Sequence, residues 1–563
     1  MKVVIIGGVA GGATAAARIR RLDEKAEIVV FERSGYISYA NCGLPYYIGG
    51  TITDKEALTL QTPESFDRRF RVDMRVHHEV TAIHPEAKTV SVKNLETGRS
   101  FDESYDKLIL SPGAKPTRPR LPGVGLEKVF TLRTVEDTLR IKEHVDANHP
   151  KSAVLAGGGF ISLETAENLR ELGMDVTIVQ RPRQLMNPFD ADMAAFIHAE
   201  MRQGGVKLAL GHTVEGLEER GAGIDVLLKD AAPLHADMVV LAIGVTPESD
   251  LAKSAGLVLG LKGSIVVNDR METSVPDIYA VGDAVQVKHY VTGEDAVISL
   301  AGPANKQGRI AADNICGGDS RYQGSQGSSV IKVFRMTAAA TGINETNAKK
   351  AGLDVDKVIL SPMSHAGYYP GGKMMTMKVV FEKGTYRLLG AQIVGYEGVD
   401  KRIDVLATAI RCGMKATDLK DLDLAYAPPY SSAKDPVNMA GFMVENLKNG
   451  VVKQWYLEDA GFLAGDGGVT RLDVRTKEEF AAGHIDGFLN IPVDELRDRL
   501  GELDKGRPVY VMCQSGLRSY IAARILTGHG FECYNFAGGY RFYDAVKNDR
   551  CLIEQATACG MDQ

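Results

Sequence analysis

Two cysteines stand where neighbouring residues could make a thiol do chemistry. Cys42 lies in Ser38-Tyr39-Ala40-Asn41-Cys42-Gly43-Leu44-Pro45, ten residues after Glu32. Ser38 reads as an N-cap and Gly49-Gly50 as a stop, which puts Cys42 in or near a first helical turn, where unpaired N–H groups and the helix dipole favour a thiolate. Cys513 follows an apolar strand, Val509 to Met512, and opens Cys513-Gln514-Ser515-Gly516-Leu517-Arg518-Ser519 ahead of a helix with Ile521, Ile525 and Leu526 on its apolar face. A strand-to-helix turn of this kind rings the sulfur with backbone N–H groups, so Cys513 is expected to be a reactive thiolate, with Arg518 in the same cradle. The chain has seven cysteines, and the nearest pair, Cys551 and Cys559, are eight apart. That excludes a CxxC couple and a short-spaced zinc knuckle and points to free thiols in a reducing compartment. Cys316, Cys412, Cys533, Cys551 and Cys559 read as structural or surface thiols, the last two reactive only if the tail moves. No helix-borne HExxH or other tight ligand cluster occurs, so no metal is expected.

Two glycine turns could hold pyrophosphates. Val3-Val4-Ile5-Ile6 leads into Gly7-Gly8-Val9-Ala10-Gly11-Gly12 and an alanine-rich helix, which meets GxGxxG at its outer positions with Val9 in the middle glycine's place. A second strand, Ile28 to Phe31, ends in Glu32, where a carboxylate can bind a ribose hydroxyl. The design recurs at Ala153-Val154-Leu155-Ala156 followed by Gly157-Gly158-Gly159, Phe160, Ile161 and the small Ser162. Its second strand, Val176 to Val179, ends in Gln180 rather than an acid, with Arg181 and Arg183 following, so both NADH and NADPH stay open. Basic residues cluster at Arg18, Arg20 and Arg21, with Arg18 and Arg21 on one helix face, and again at Arg68, Arg69, Arg71 and Arg75; a solvated face is the plain reading of such runs, phosphate binding the other.

Thr273-Ser274-Val275-Pro276-Asp277-Ile278-Tyr279-Ala280-Val281-Gly282-Asp283 resembles the second FAD fingerprint of flavoproteins with two dinucleotide domains. With Ser38-Tyr39-Ala40-Asn41-Cys42 matching S-F-x-x-C except for Tyr39, residues 1 to about 447 resemble the single-cysteine branch of the pyridine nucleotide-disulfide oxidoreductases, and within it the coenzyme A-disulfide reductases. The resemblance implies FAD held by Gly7, Val9, Ala10, Gly12, Glu32, Arg33, Asn41, Gly113, Gly282, Asp283 and Ala301. It implies NAD(P)H at Gly157, Gly159, Phe160, Ile161, Gln180 and Gly244, and coenzyme A at Thr14, Arg18, Arg21, Ser38, Asn41, Arg71 and Lys434. Ala425-Tyr426-Ala427-Pro428-Pro429-Tyr430-Ser431-Ser432-Ala433-Lys434-Asp435-Pro436 resembles the segment that crosses to the partner's active site in that family. A homodimer is thereby implied, with Tyr426 and Tyr368 catalytic; Tyr369 stays the alternative to Tyr368. Without a second cysteine nearby, the sulfur partner of Cys42 comes from a substrate, or Cys42 cycles through a sulfenic acid. C-x-x-G-x-R-S, with Leu472-Asp473-Val474-Arg475, Gly483-His484-Ile485 and Gly538-Gly539-Tyr540, resembles the rhodanese family, and implies that Cys513 carries sulfane sulfur with Arg518 assisting. Protein phosphatases use C-x5-R, one residue longer than the C-x4-R here.

These sites need scaffolds that the length supplies. With 563 residues, 44% hydrophobic and 25% charged, the chain reads as several ordinary globular domains, and a net charge of −6 argues against a generic nucleic-acid or anionic-membrane binder. No signal segment or ~18-residue apolar run occurs, so a cytoplasmic enzyme is expected. The predicted fold is α/β: a discontinuous FAD domain (1–115 and 245–325), an NAD(P) domain (116–244), an α+β dimerisation domain (326–447), a linker (448–464), a rhodanese-like α/β domain (465–550) and a tail (551–563). The expected function is NAD(P)H-driven, FAD-dependent reduction of coenzyme A disulfide, coenzyme A persulfide, glutathione persulfide or polysulfide through a mixed disulfide on Cys42, with no nucleic-acid or membrane partner. An NADH oxidase or peroxidase, and a non-enzymatic sulfur carrier or redox sensor, are the alternatives.

Overall fold

The computed structural model describes residues 1–461 and 467–559. The first dinucleotide sheet is parallel and draws strands from two separate stretches of chain, in the order Ile278–Ala280, Lys107–Leu110, Lys2–Ile6, Glu27–Phe31, Asp73–Arg75. Gly7 ends the central strand at φ +97°, and a Cβ there would lie 2.1 Å from the Ser111 carbonyl oxygen, so only glycine makes this turn. Helix Ala10–Leu22 then crosses helix Ala301–Ile315 so closely that a Cβ on Gly308 would be 2.4 Å from the Gly11 carbonyl oxygen.

The second dinucleotide sheet repeats the design, in the order Val206–Leu210, Asp175–Gln180, Ser152–Ala156, Met238–Leu241, Val129–Thr131, all parallel. Ala114–Pro116 and Val245–Pro247 pair antiparallel where the chain enters and leaves it. The third domain is an antiparallel sheet, Ser329–Val333, Met336–Gly342, Leu388–Gly395, Thr376–Glu382, Val355–Leu360, backed by helices Val399–Arg411 and Pro436–Lys448.

The last sheet is parallel, in the order Lys453–Trp455, Cys533–Phe536, Val509–Met512, Thr470–Asp473, Leu489–Asn490. Its first strand falls inside the expected linker, 448–464, which is corrected accordingly. The sequence there is polar and short, but Trp455 is 2% exposed, stacks on Phe536 at 4.1 Å between ring centroids, and donates its indole N–H to the Val511 carbonyl oxygen at 3.2 Å. The expected tail is corrected as well: helix Gly539–Cys559 runs through residue 551 and leaves Cys551 exposed on its surface, while the Cys559 side chain lies outside the described residues. Ile521 is 42% exposed on helix Leu517–Gly528, whereas Ile525 and Leu526 are buried, so the apolar face there is narrower than the pattern predicts.

One core joins the domains. Leu44 and Ile48 of the first, Leu163, Phe196 and Ile197 of the second, Ile331 and Val333 of the third, and Phe542 and Val546 of the last pack in a single cluster. Among the described residues no helix is long and apolar enough to cross a membrane.

Trp455 is the chain's single tryptophan, so its fluorescence reports the C-terminal sheet. Trp455→Phe should lower the urea midpoint of that domain modestly, and Trp455→Ala should cost about 3–5 kcal/mol, read by far-UV circular dichroism.

Candidate active sites

Cys42 sits in a 3-10 turn, Asn41–Gly43, that runs directly into the short helix Leu44–Ile48. The expected cap is not made. Ser38 adopts φ +45° three residues before the turn, the residue preceding the turn is Ala40, and no side chain caps it; Gly49 and Gly50 do end the helix. The electrostatics also differ from the helix-dipole expectation. Burial pushes the Cys42 thiol up, Glu164 and Asp283 add to the effect, and Arg133 opposes it. Glu164, on helix Phe160–Glu171, is itself pushed up to about 7, first by burial and then by Glu167, against a hydrogen bond with the Tyr46 phenol. A carboxyl that changes charge near neutrality therefore faces the cysteine.

Arg133 organises the other side. Its Nη2 donates to Asp283 Oδ2 at 2.7 Å and its Nε to the Ala114 carbonyl oxygen at 3.1 Å. The Asn41 amide, in the orientation that satisfies both groups, donates to the Arg133 carbonyl oxygen at 2.9 Å and accepts from Nη1 at 2.6 Å. Gly113 borders the same guanidinium: a Cβ there would be 3.6 Å from Nη2. Expected FAD contacts Asn41, Gly113 and Asp283 thus converge on one cation, with Gly282 in the 3-10 turn that packs on the helix beginning at Ala301. Glu32 accepts the Gly8 N–H at 2.9 Å on one oxygen and the Ser34 N–H at 2.9 Å on the other, which fixes the carboxylate at the end of its strand with lone pairs to spare. Val9 and Ala10 begin the first helix, and Gly12 is required there because a Cβ would meet the Gly7 carbonyl oxygen at 1.9 Å. Arg33 turns outward to a two-point ion pair with Glu248 at 2.6 and 2.8 Å.

At the second turn, Gly157 has φ +120° and Gly159 is the N-terminal residue before helix Phe160–Glu171, with open space where its Cβ would be. Gly244, at φ +115°, also faces open space. A helix N-terminus with two uncovered glycines fits a bound pyrophosphate. Gln180 ends its strand beside Gly158, and Phe160 and Ile161 open the helix.

The cations expected around coenzyme A divide. Arg20 is buried, donating to the carbonyl oxygens of Phe70, Asp23, Glu24, Ala26 and Arg71; it is structural. Arg75 pairs with Asp73 and Glu103, and Arg18 with Asp313 at 2.6 Å. Thr14 Oγ1 donates to Asn305 Oδ1 at 2.9 Å. Arg71 ends helix Pro63–Phe70 in the left-handed region, φ 46°, and Arg21 and Lys434 are exposed. Tyr368 and Tyr426 meet, hydroxyl to hydroxyl, at 2.7 Å, while Tyr369 turns its ring to His365 at 5.6 Å. Tyr368 is 75% and Tyr430 72% exposed, an unusual apolar display for one protomer.

In the C-terminal domain, Cys513 is buried and its Sγ accepts from the Gly516 N–H and the Ser519 hydroxyl, each at 3.2 Å. Gly516 takes φ +100° and opens helix Leu517–Gly528. Arg518 forms a two-point pair with Glu479 at 2.7 and 2.8 Å, which holds that carboxyl down at about 2. The loop is braced from below: Tyr540 N–H donates to the Cys513 carbonyl oxygen at 2.8 Å, and a Cβ on Gly539 would lie 2.7 Å from Gln514. Arg475 is buried against Asp473 and lies 3.9 Å over the Tyr540 ring.

Two nucleotide turns, a lone cysteine between them and a following antiparallel domain find their match in known proteins. The pyridine nucleotide-disulphide oxidoreductase family matches residues 1–308, and its dimerisation domain matches 328–436. The chain belongs to this family. A rhodanese-like domain matches residues 459–545. The oxidoreductase is 38% identical over 444 residues to a protein named coenzyme A disulfide reductase from Staphylococcus aureus, covering 78% of this chain and 99% of that one. The reduced Bacillus anthracis CoADR-RHD crystal structure is 48% identical with a TM-score of 0.95, covering 98% of both chains. A NAD-dependent persulfide reductase from A. fulgidus is 37% identical with a TM-score of 0.91, over 96% of this chain and 100% of the other. A water-forming NADH oxidase from Lactobacillus brevis is 30% identical with a TM-score of 0.77, over 80% of this chain and 100% of the other.

Sequence reasoning missed Arg133, Glu164, Tyr46, Glu479 and the hydroxyl role of Ser519. Arg133 and Glu479 carry no local signature, being recruited from other elements; Glu164 follows the second glycine turn and Tyr46 follows Cys42, but only the packing of their helices joins them. The charge balance at Cys42 sets a test with opposite signs. Glu164→Gln, which removes a negative charge, should move the pH midpoint of Cys42 alkylation down, and Arg133→Met should move it up; equal shifts in one direction would refute the placement of these charges.

Proposed function

We propose that this oxidoreductase uses NAD(P)H, through FAD, to reduce coenzyme A disulfide, coenzyme A persulfide or a related persulfide or polysulfide. The observation that carries the reading is a single cysteine, Cys42, set beside the Arg133–Asp283 corner with Glu164 opposite, in a chain whose other reactive sulfur, Cys513, has its own cradle. Relatives matching nearly the whole chain, rhodanese-like part included, and named for coenzyme A disulfide or persulfide reduction support it.

FAD, when bound, accepts a hydride from the nicotinamide and returns two electrons to a disulfide. The chain's own groups do the rest. The Cys42 thiolate attacks one sulfur of the substrate S–S bond, forming the mixed disulfide and expelling the first thiolate; two electrons and a proton then release the second thiol and restore Cys42. Arg133 favours the anion and Glu164, titrating at about 7, can take or return a proton beside it. The Tyr368–Tyr426 pair is offered to a second copy of the chain, where a phenol can hydrogen-bond the departing thiolate. In this homodimer Arg21, Arg71 and Lys434 serve the phosphates of coenzyme A, and Thr14, Ser38 and Asn41 its polar groups, while Arg18 is drawn toward Asp313. Cys513 attacks the outer sulfur of a sulfane donor such as thiosulfate, forming the persulfide and releasing sulfite, with the Gly516 N–H and Ser519 hydroxyl hydrogen-bonded to its Sγ and Arg518 positioned by Glu479.

Cys42→Ser should abolish NAD(P)H-dependent release of thiol or sulfide, and wild-type turnover in that variant would sink the mechanism. Cys513→Ser should remove sulfur transfer from thiosulfate while sparing reduction of coenzyme A disulfide; loss of both would indicate an obligatory relay. Turnover of coenzyme A disulfide, coenzyme A persulfide, glutathione persulfide and polysulfide, each with NADH and NADPH, ranks the substrates, and peroxide-dependent NADH oxidation with negligible disulfide turnover would favour the oxidase reading instead.

A further inference from the structure

The long C-terminal helix, Gly539–Cys559, leaves the rhodanese-like domain and packs into the nucleotide domain. Phe542, Val546 and Ile553 enter the core that holds Phe196 and Ile197, and the Phe542 and Phe196 rings lie 6.2 Å apart. Inside that contact Asp549 accepts from His198 Nδ1 at 2.8 Å and from Arg202 Nη1 at 2.6 Å, with His198 1% and Asp549 5% exposed. The other ring nitrogen of His198, Nε2, accepts the Leu185 N–H at 3.0 Å. An imidazole that accepts at Nε2 carries its proton at Nδ1, so the Asp549 carboxylate selects the tautomer that can hold Leu185.

Leu185 and Met186 back the second glycine turn. The Met186 N–H donates to the Gly158 carbonyl oxygen at 2.8 Å, and a Cβ on Gly158 would lie 2.7 Å from Leu185 Cδ2. Met186 holds φ +54°, a conformation a side-chain-bearing residue keeps only where its surroundings impose it. At the other end of the same C-terminal helix, Tyr540 and Arg541 donate to the Cys513 and Gln514 carbonyl oxygens at 2.8 and 3.2 Å.

We propose that Asp549, a residue of the C-terminal helix, is a positioning residue for the NAD(P)H site: through His198 it fixes the Leu185–Met186 loop against Gly158, so the rhodanese-like part of the chain helps set the reductase's nucleotide affinity. This rests on reading Gly157–Gly159 as the nucleotide turn. The coupling is reciprocal, so bound nucleotide steadies the helix that braces the Cys513 loop.

The test uses full-length FAD-loaded protein and follows bleaching of flavin absorbance in stopped flow against NADH and NADPH concentration. Asp549→Ala should raise the half-saturating concentration about fivefold or more while the limiting rate stays within about twofold, because the buried contacts to His198 and Arg202 are lost without touching the reacting atoms. His198→Ala should behave alike. His198→Gln, whose amide oxygen can accept from Leu185 in place of Nε2, should bind nucleotide within about twofold of wild type. A folded, FAD-replete Asp549→Ala protein with unchanged half-saturation overturns the proposal. If that variant does not fold, equal behaviour of His198→Ala and His198→Gln overturns it instead. Absence of nucleotide-dependent bleaching in the wild type would be a failure of the nucleotide reading itself.

Discussion

Alongside the shared apolar core, one buried cation ties the dimerisation domain to the nucleotide domain. Lys378, in a central strand of the dimerisation sheet, is 1% exposed and lies 3.1 Å from Asp190, 2.8 Å from Asp192 and 2.8 Å from Glu345. Burial alone would drive the lysine neutral and the acids protonated, but the mutual attraction wins: Lys378 is pushed up, and Asp190 and Glu345 are held down. Removing Lys378 would strip three carboxylates of their shared cation in a dry site, at about 3–5 kcal/mol. Asp190 stands at the start of helix Ala191–Gln203, so the cluster fixes the helix that carries His198 and Arg202. Glu345 also accepts from Lys357, which reaches Glu458 beside the C-terminal edge strand, extending the same network to the rhodanese-like part.

The corner around Arg133 is a second polar contact of the nucleotide domain, made with the FAD domain. Arg133 follows strand Val129–Thr131 of the nucleotide domain yet spends its donors on Asp283, Ala114 and Asn41 of the FAD domain. A small rotation between the two domains would separate the cation from all three. The charge environment of Cys42 is therefore a property of domain placement, with Arg133 on one side and Glu164 of the nucleotide helix on the other.

The two candidate cysteines stand in settings built by opposite physics. Cys513 is enclosed by donors from its own loop and the helix after it, so its setting is local and travels with the domain. Cys42 is surrounded by groups from three separate elements, and burial and two carboxylates raise its pKa while one guanidinium lowers it. A thiol balanced in this way responds to whatever next enters the site, because added or removed charge tips the balance.

Wherever a site is built from one continuous stretch, the residues alone determined it. Strand, glycine turn and helix recur at Gly7 and Gly157 because backbone geometry at positive φ admits no side chain there, and the Cys513 loop is legible for the same reason. The antiparallel third domain is legible from alternation, as in Thr376–Glu382. What tertiary structure decided lies between stretches. Ser38 has the right type for a cap but the wrong backbone, and the Trp455 strand is too short and polar to read without the partner strand that buries it. Arg18 and Arg20 have identical chemistry and neighbouring positions, yet one meets Asp313 and the other five backbone carbonyls. Arg133, Glu164 and Asp549 carry no motif, since an electrostatic contact between residues far apart in the chain leaves no periodicity in it. It exists only after the cores have closed and set the distances over which charges act.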